Sequence, residues 1–107
     1  MSTSVIVAAT RSPIGTAGRS LSGHTADRLA APVLAATLAR SGLAPDEITD
    51  VVLGNCMGPG GDVARSAALA AGLPVHVPAL TVDRQCASGL AAIEVADRFV
   101  RGGAPAV

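Results

Sequence analysis

Three short apolar runs punctuate the chain, and three longer stretches between and after them carry apolar residues at helical spacing. The runs are Val5-Ile6-Val7-Ala8-Ala9, Val51-Val52-Leu53 and Ala79 to Asp83. None alternates apolar with polar residues, so each reads as a strand covered on both faces, as in a parallel sheet between helical layers. The first helical stretch runs from Ala26 to Arg40, with Ala30, Val33, Leu34, Thr37 and Leu38 on one face. Thr25 stands ready to cap it, Pro32 should bend it or mark its true start, and Gly42 closes it in a left-handed cap. Pro45-Asp46-Glu47-Ile48 is a turn. The second helix is expected from Val63 to Ala71, capped by Asp62 and stopped by Gly72 and Pro74. The third runs from Ala87 or Ser88 to Arg101 and stops at Gly102-Gly103. Ala106-Val107 reads as the beginning of a fourth strand.

The predicted order is therefore β-α-β-α-β-α-(β), an α/β chain with a mostly parallel sheet and right-handed crossovers. Residues Ala87 to Ile93 are apolar or small all round, and the charges of the third helix, Glu94, Asp97, Arg98 and Arg101, lie towards its C-terminal half. A helix of that kind belongs in the interior of a larger, multilayer protein. The stretch from Arg11 to Thr25 is rich in Gly, Ser and Thr and long for a loop, which suits a functional or partner-contacting segment.

The 107 residues fit one domain, and the apolar half of the composition is mostly Ala, Val and Leu, with Phe99 the one aromatic. Eight basic residues balance eight acidic ones, so no electrostatic footprint for nucleic acid or an anionic membrane is present. Every basic residue is Arg, which excludes a Walker-type phosphate loop, a Schiff-base lysine and a lysine general base within the chain. No apolar stretch approaches the length of a membrane span, and no secretory pattern opens the chain, so a cytoplasmic location is expected. Cys56 and Cys86 form neither a disulfide framework nor a metal-binding spacing, and no metal site is expected.

The chemistry concentrates in Thr81-Val82-Asp83-Arg84-Gln85-Cys86-Ala87-Ser88-Gly89-Leu90. This run reads as a strand, a tight turn carrying Cys86, and the start of an apolar helix. A thiol at a helix N-terminus meets the positive end of the backbone dipole and unpaired N–H groups, both of which favour thiolate. Ser88-Gly89 allow close backbone approach, and the turn amides could hold the oxyanion formed when a thioester carbonyl is attacked. A buried, inert cysteine is the alternative.

The same run resembles the V-[DN]-x-x-C-x-S-G-L nucleophile segment of the thiolase family. Three further segments in order are similar to that family. Val7-Ala8-Ala9-Thr10-Arg11-Ser12-Pro13-Ile14-Gly15 resembles its V-A-x-x-R-[ST]-P-[IF]-G opening, and Val51 to Asn55 its V-[IV]-x-G-N strand end. Ala64 to Pro74 resembles its A-R-x-A-A-L-x-A-G-L-P helix and stop, and Val77 to Val82 leads into the cysteine run as in that family. The resemblance implies a thiolase-like fold, with residues 1–107 an incomplete N-terminal thiolase domain, truncated before the second half. It implies an acyltransferase that cleaves 3-ketoacyl-CoA with CoA, or runs the reverse condensation, through an acyl thioester on Cys86. Coenzyme A thioesters and CoA are then the substrates, with no bound cofactor; the CoA-binding residues are not identified.

The resemblance also implies a homo-oligomeric parent, for which the Arg11 to Thr25 loop is a candidate contact. The family's activating histidine and second cysteine, in a C-x-G-G-G run, lie in its C-terminal half. His24 and His76 do not match that histidine motif, and the flanks of Cys56 do not match the second cysteine's. Gly58-Pro59-Gly60-Gly61-Asp62-Val63 replaces the amide- and Gln-rich stretch of many thiolases, which leaves the subfamily and acyl chain length open. The chain alone is expected to be inactive. Two rivals stand beside this reading: a non-catalytic thiolase-like scaffold, and a dinucleotide-binding domain using the Gly58 to Gly61 turn as a phosphate cradle.

Overall fold

The computed structural model describes residues 3–107. Its elements, in chain order, are helix α1 (Ala26–Ser41), a 3₁₀ turn (Pro45–Glu47), strand β1 (Val51–Gly54), helix α2 (Val63–Ala70), strand β2 (Ala79–Val82) and helix α3 (Ser88–Arg101). β1 and β2 pair in parallel, with Val51 opposite Ala79 and Gly54 opposite Val82. α2 forms the crossover between them, α3 also packs on the sheet, and α1 packs on α2.

Small side chains set the layer spacing. Ala64, Ala67 and Ala68 of α2 are all but inaccessible, and Ala64 and Ala68 cluster with Val51, Leu73 and Val77. Leu34 and Leu38 of α1, with Ile48, Leu53 and Ala79, surround that cluster. Alanine contributes little burial of its own but lets the elements approach closely, so larger neighbours fill the remaining space.

Helix ends follow the local chemistry closely at most positions. The Asp62 carboxylate accepts from the Arg65 N–H at 3.1 Å, capping α2 as its sequence position implies. Gly42 takes φ 75°, where a side chain would be strained, and closes α1. α1 runs unbroken from Ala26 through Pro32 rather than starting at the proline. Pro32 and Arg28 are both exposed, so the Arg28 carbonyl left without an N–H partner can turn to water. Thr25 occupies the N-cap of α1 without capping it: its hydroxyl donates to the Asp27 carboxylate at 2.5 Å instead. That bond draws the carboxyl of Asp27 below the ordinary carboxylate range.

Two expected strands and the all-round burial of the third helix are corrected. Val5 to Ala9 is not a strand, and Val5, Ile6 and Val7 are largely exposed. The segment is fastened at both ends, by the Ser4 hydroxyl on Asp97 of α3 and by Thr10 on Thr37 of α1. Between those fastenings it borders a gap of about 760 Å³ whose other walls include Leu34 and Leu38, Val51 and Val52, and Ile93 and Val100. A strand covered on both faces needs packed layers to hold it, and across this gap the segment has none.

Ala106-Val107 is not a strand either. The Ala106 carbonyl nevertheless accepts from both the Thr49 N–H, at 2.9 Å, and the Thr49 hydroxyl, at 2.7 Å, at the entrance to β1. α3 buries one face only, through Ser88, Ala91 and Ala92, and leaves Leu90 and Ile93 more than half exposed.

Candidate active site

β1 and β2 end together, Gly54 opposite Val82, and the Asn55 N–H continues the ladder to the Val82 carbonyl at 3.0 Å. Past this C-terminal edge each strand delivers a cysteine: Cys56 two residues beyond Gly54, Cys86 four beyond Val82. Both are free thiols and both are exposed. Cys86 is thus not packed into a core formed by the described residues.

The turn that carries Cys86 is closed by side chains on either flank. The Asp83 carboxylate accepts from the Gln85 N–H at 2.9 Å. The Ser88 hydroxyl accepts from the Arg84 N–H at 2.7 Å and donates to the Gln85 carbonyl at 2.6 Å. Gln85 sits at φ 49°, and it is the one non-glycine residue with positive φ among those described. A residue with a Cβ pays about 1–2 kcal/mol for that conformation, so the bonds around it must hold it there. Arg84 reaches forward to Glu94 of α3 at 3.4 Å, an exposed pair that contributes little.

The expected amide cradle is narrower than the sequence suggests. α3 begins at Ser88, so Cys86 lies just outside the N-cap residue Ala87. The Ala87 and Ser88 N–H groups are already engaged, by the Arg84 and Gln85 carbonyls at 3.0 and 3.1 Å. The Cys86 N–H has no hydrogen-bond partner among the described residues, which makes it the turn amide free to meet an oxyanion.

A second network fixes the approach of β2 to this turn. The Thr81 hydroxyl donates to Asp62 at 2.6 Å and accepts from the Ala64 N–H at 3.0 Å. Arg65 forks onto the Val77 and Val75 carbonyls at 2.7 and 2.8 Å. Sequence reasoning did not find Ser88, Thr81 or Arg65 in these roles. Asp83, two residues before Gln85, carried a legible signal as an Asx-turn residue.

The phosphate-cradle reading of Gly58 to Gly61 fails on these bonds. The Gly58 N–H is taken by the Asn55 side-chain oxygen at 2.9 Å, and the Asn55 amide closes the loop onto the Pro59 carbonyl at 3.2 Å. The Ala64 and Arg65 amides at the start of α2 are occupied by Thr81 and Asp62, leaving a carboxylate where a phosphate would sit. His24 and His76 lie exposed in loops. Among the described residues no three His, Cys, Asp or Glu side chains cluster closely enough to hold a metal ion, and no helix is long and apolar enough to cross a membrane.

Residues 4–107 match the family described as thiolase, N-terminal domain. An acetyl-CoA acetyltransferase of Allochromatium vinosum is 46% identical over 101 residues, covering 92% of this chain and 26% of that protein. A probable acetyl-CoA acetyltransferase of Mycobacterium leprae is 44% identical over 105 residues, covering 96% of this chain and 27% of that protein. The chain thus spans about a quarter of the length of the curated relatives it matches. Among solved structures, the Bacillus anthracis acetyl-CoA acetyltransferase superposes with a TM-score of 0.85 at 47% identity, covering 87% of this chain and 24% of that one. An Ascaris suum thiolase in complex with coenzyme A superposes with a TM-score of 0.87 at 26% identity, covering 94% and 27%.

Proposed function

The chain belongs to the thiolase family, and from that premise we propose that it carries the nucleophile of an acyltransferase acting on coenzyme A thioesters. The carrying observation is Cys86, an exposed thiol on a side-chain-locked turn between β2 and α3. In this reading the Cys86 sulfur attacks the thioester carbonyl and forms a new carbon–sulfur bond. The carbonyl electrons move onto oxygen, next to the Cys86 N–H, and return as the bond to the CoA sulfur breaks. CoA leaves as the thiolate and takes up the proton that Cys86 gave up. The acyl group then passes from Cys86 to a second thiol or to the carbanion of a second acyl-CoA. Splitting the transfer in this way replaces one difficult step with two easier ones.

The base that takes the Cys86 proton, and the group that handles the α-proton, are assigned by resemblance to the part of the family beyond the matched quarter. The supporting relatives are named for acetyl transfer, and one is described with coenzyme A, so acetyl-CoA is the first substrate to try. Assembly of the intact protein as a homo-oligomer, through the largely exposed loop from Arg11 to Thr25, belongs to the same proposal.

The test is exchange of isotopically labelled CoA into acetyl-CoA by the intact protein, a half-reaction that needs only the acyl-enzyme. The expected result is exchange that disappears in Cys86→Ser and persists in Cys56→Ser. Exchange that survives loss of Cys86 would remove the assignment.

A further inference from the structure

We propose that Ser88 is a positioning residue of the acyl-transfer site, its hydroxyl holding the Cys86 turn in the geometry from which the sulfur attacks. This rests on the role proposed for Cys86 and adds a residue to it. Ser88 is the one buried polar residue among those described, at 5% exposure. A buried hydroxyl must place its hydrogen bonds internally, and this one places both on the turn. It accepts from the N–H of Arg84 and donates to the carbonyl of Gln85, the two residues immediately before Cys86. Its own N–H returns to the same Gln85 carbonyl at 3.1 Å, so Gln85 is held by both ends of one residue.

What is held is a conformation that would otherwise relax. Gln85 stands at φ 49°, and release of its carbonyl lets it fall back to negative φ, swinging the next residue, Cys86. Ser88 itself has nowhere to go. A Cβ built on Gly54 would lie 2.5 Å from the Ser88 carbonyl carbon and 2.6 Å from its oxygen, so strand β1 supports the Ser88 backbone directly. The sheet thus fixes Ser88, and Ser88 fixes the turn. Reaching both an N–H four residues back and a carbonyl three residues back needs a short side chain that donates and accepts. Serine and threonine meet that requirement, and alanine does not.

The experiment measures single-turnover acetylation of Cys86 by acetyl-CoA, followed by intact mass, in Ser88→Ala, Ser88→Thr and Cys86→Ser forms of the intact protein. KM and thermal melting are recorded alongside. Ser88→Ala is expected to slow acetylation by about 10- to 100-fold, the scale of a misplacement of about 1 Å, with KM little changed. Ser88→Thr is expected to restore the rate to within a few-fold. Acetylation of Ser88→Ala at the wild-type rate, or a loss carried wholly by KM, overturns the positioning role. In that case, failure of Cys86→Ser to acetylate leaves the nucleophile assignment standing, whereas acetylation of that variant at a residue other than position 86, located by peptide mapping, removes the assignment.

Should Ser88→Ala not fold, the double variant Gln85→Gly, Ser88→Ala takes its place. Glycine accepts positive φ without strain, so the fold should return. Gln85→Gly with Ser88 intact is then the reference: slower acetylation in the double variant than in that single variant supports the proposal, and equal rates in the two refute it.

Discussion

Gly54 and Ser88 meet backbone to backbone, closely enough that a methyl group on Gly54 would lie 2.5 Å from the Ser88 carbonyl carbon. The end of β1 therefore serves as the seat on which α3 begins. Gly54→Ala forces main-chain atoms apart, because no flexible side chain is there to yield. A loss of about 1–3 kcal/mol is expected, the usual cost of overpacking, measurable as a lowered denaturation midpoint. Slower acetylation of Cys86 in the folded fraction is expected with it.

Arg65 holds two carbonyls, those of Val77 and Val75, through the two arms of its guanidinium. Removing it in Arg65→Ala frees both and is expected to cost about 1.5–3 kcal/mol, the range for hydrogen bonds to a charged group. Arg65→Lys should recover only part of this, since a single ammonium does not reproduce a planar fork. Urea denaturation of the three forms provides the comparison. Full recovery by lysine would show that charge alone suffices.

The carboxyl of Asp97 is held below the ordinary carboxylate range, first by the Ser4 hydroxyl and then by Arg101 at 2.9 Å. A carboxyl lowered on folding stabilises the fold above its unfolded value and loses that contribution as pH falls through the lowered one. The chain should thus weaken on the acid side, below about pH 4, as Ser4 and Arg101 lose their ionised partner. In Asp97→Asn the acid limb of a stability-against-pH curve should be shallower. Because the pair is partly exposed, the difference should shrink at high salt.

Leu90 is 66% and Ile93 is 59% exposed on α3, and Val5, Ile6 and Val7 add to the uncovered apolar surface. Residues 1–107 produced alone should bind a hydrophobic dye and self-associate. Replacing Leu90 and Ile93 together with Gln should lower the dye fluorescence and shift sedimentation towards the monomer. Unchanged association in that variant would locate the sticky surface elsewhere.

Much of this arrangement is written locally in the chain. The apolar runs of β1 and β2 are legible locally, although their pairing joins Val51 to Ala79. The Asp62 cap, the Gly42 stop and the turn around Cys86 each depend on residues within a few positions of one another. So does the placement of Cys86 between β2 and α3, which the resemblance to thiolases also implies. Legibility ends where the partner is distant or contested. The apolar run from Val5 to Ala9 has a strand's composition, but a strand needs a packed neighbour, and that is a property of the assembled layers.

Thr25 is a good capping residue whose hydroxyl finds the Asp27 carboxylate first. The Arg65 fork and the Thr81–Asp62 bond join residues 10 to 19 positions apart, beyond the reach of local propensity. The Ser88-Gly89 pair invited a reading as room for close approach. Its hydroxyl's second function, tying Arg84 and Gln85, emerges only once Gln85 is seen in the left-handed region.

The most direct measurement is peptide mapping of the intact protein after brief exposure to radiolabelled acetyl-CoA and acid quench. One acetyl group, as a thioester, is expected on the peptide containing Cys86, with Cys56 unlabelled and Cys86→Ser without label. Label on Cys56, or acetyl transfer with no label on Cys86, would contradict the assignment of Cys86 as nucleophile.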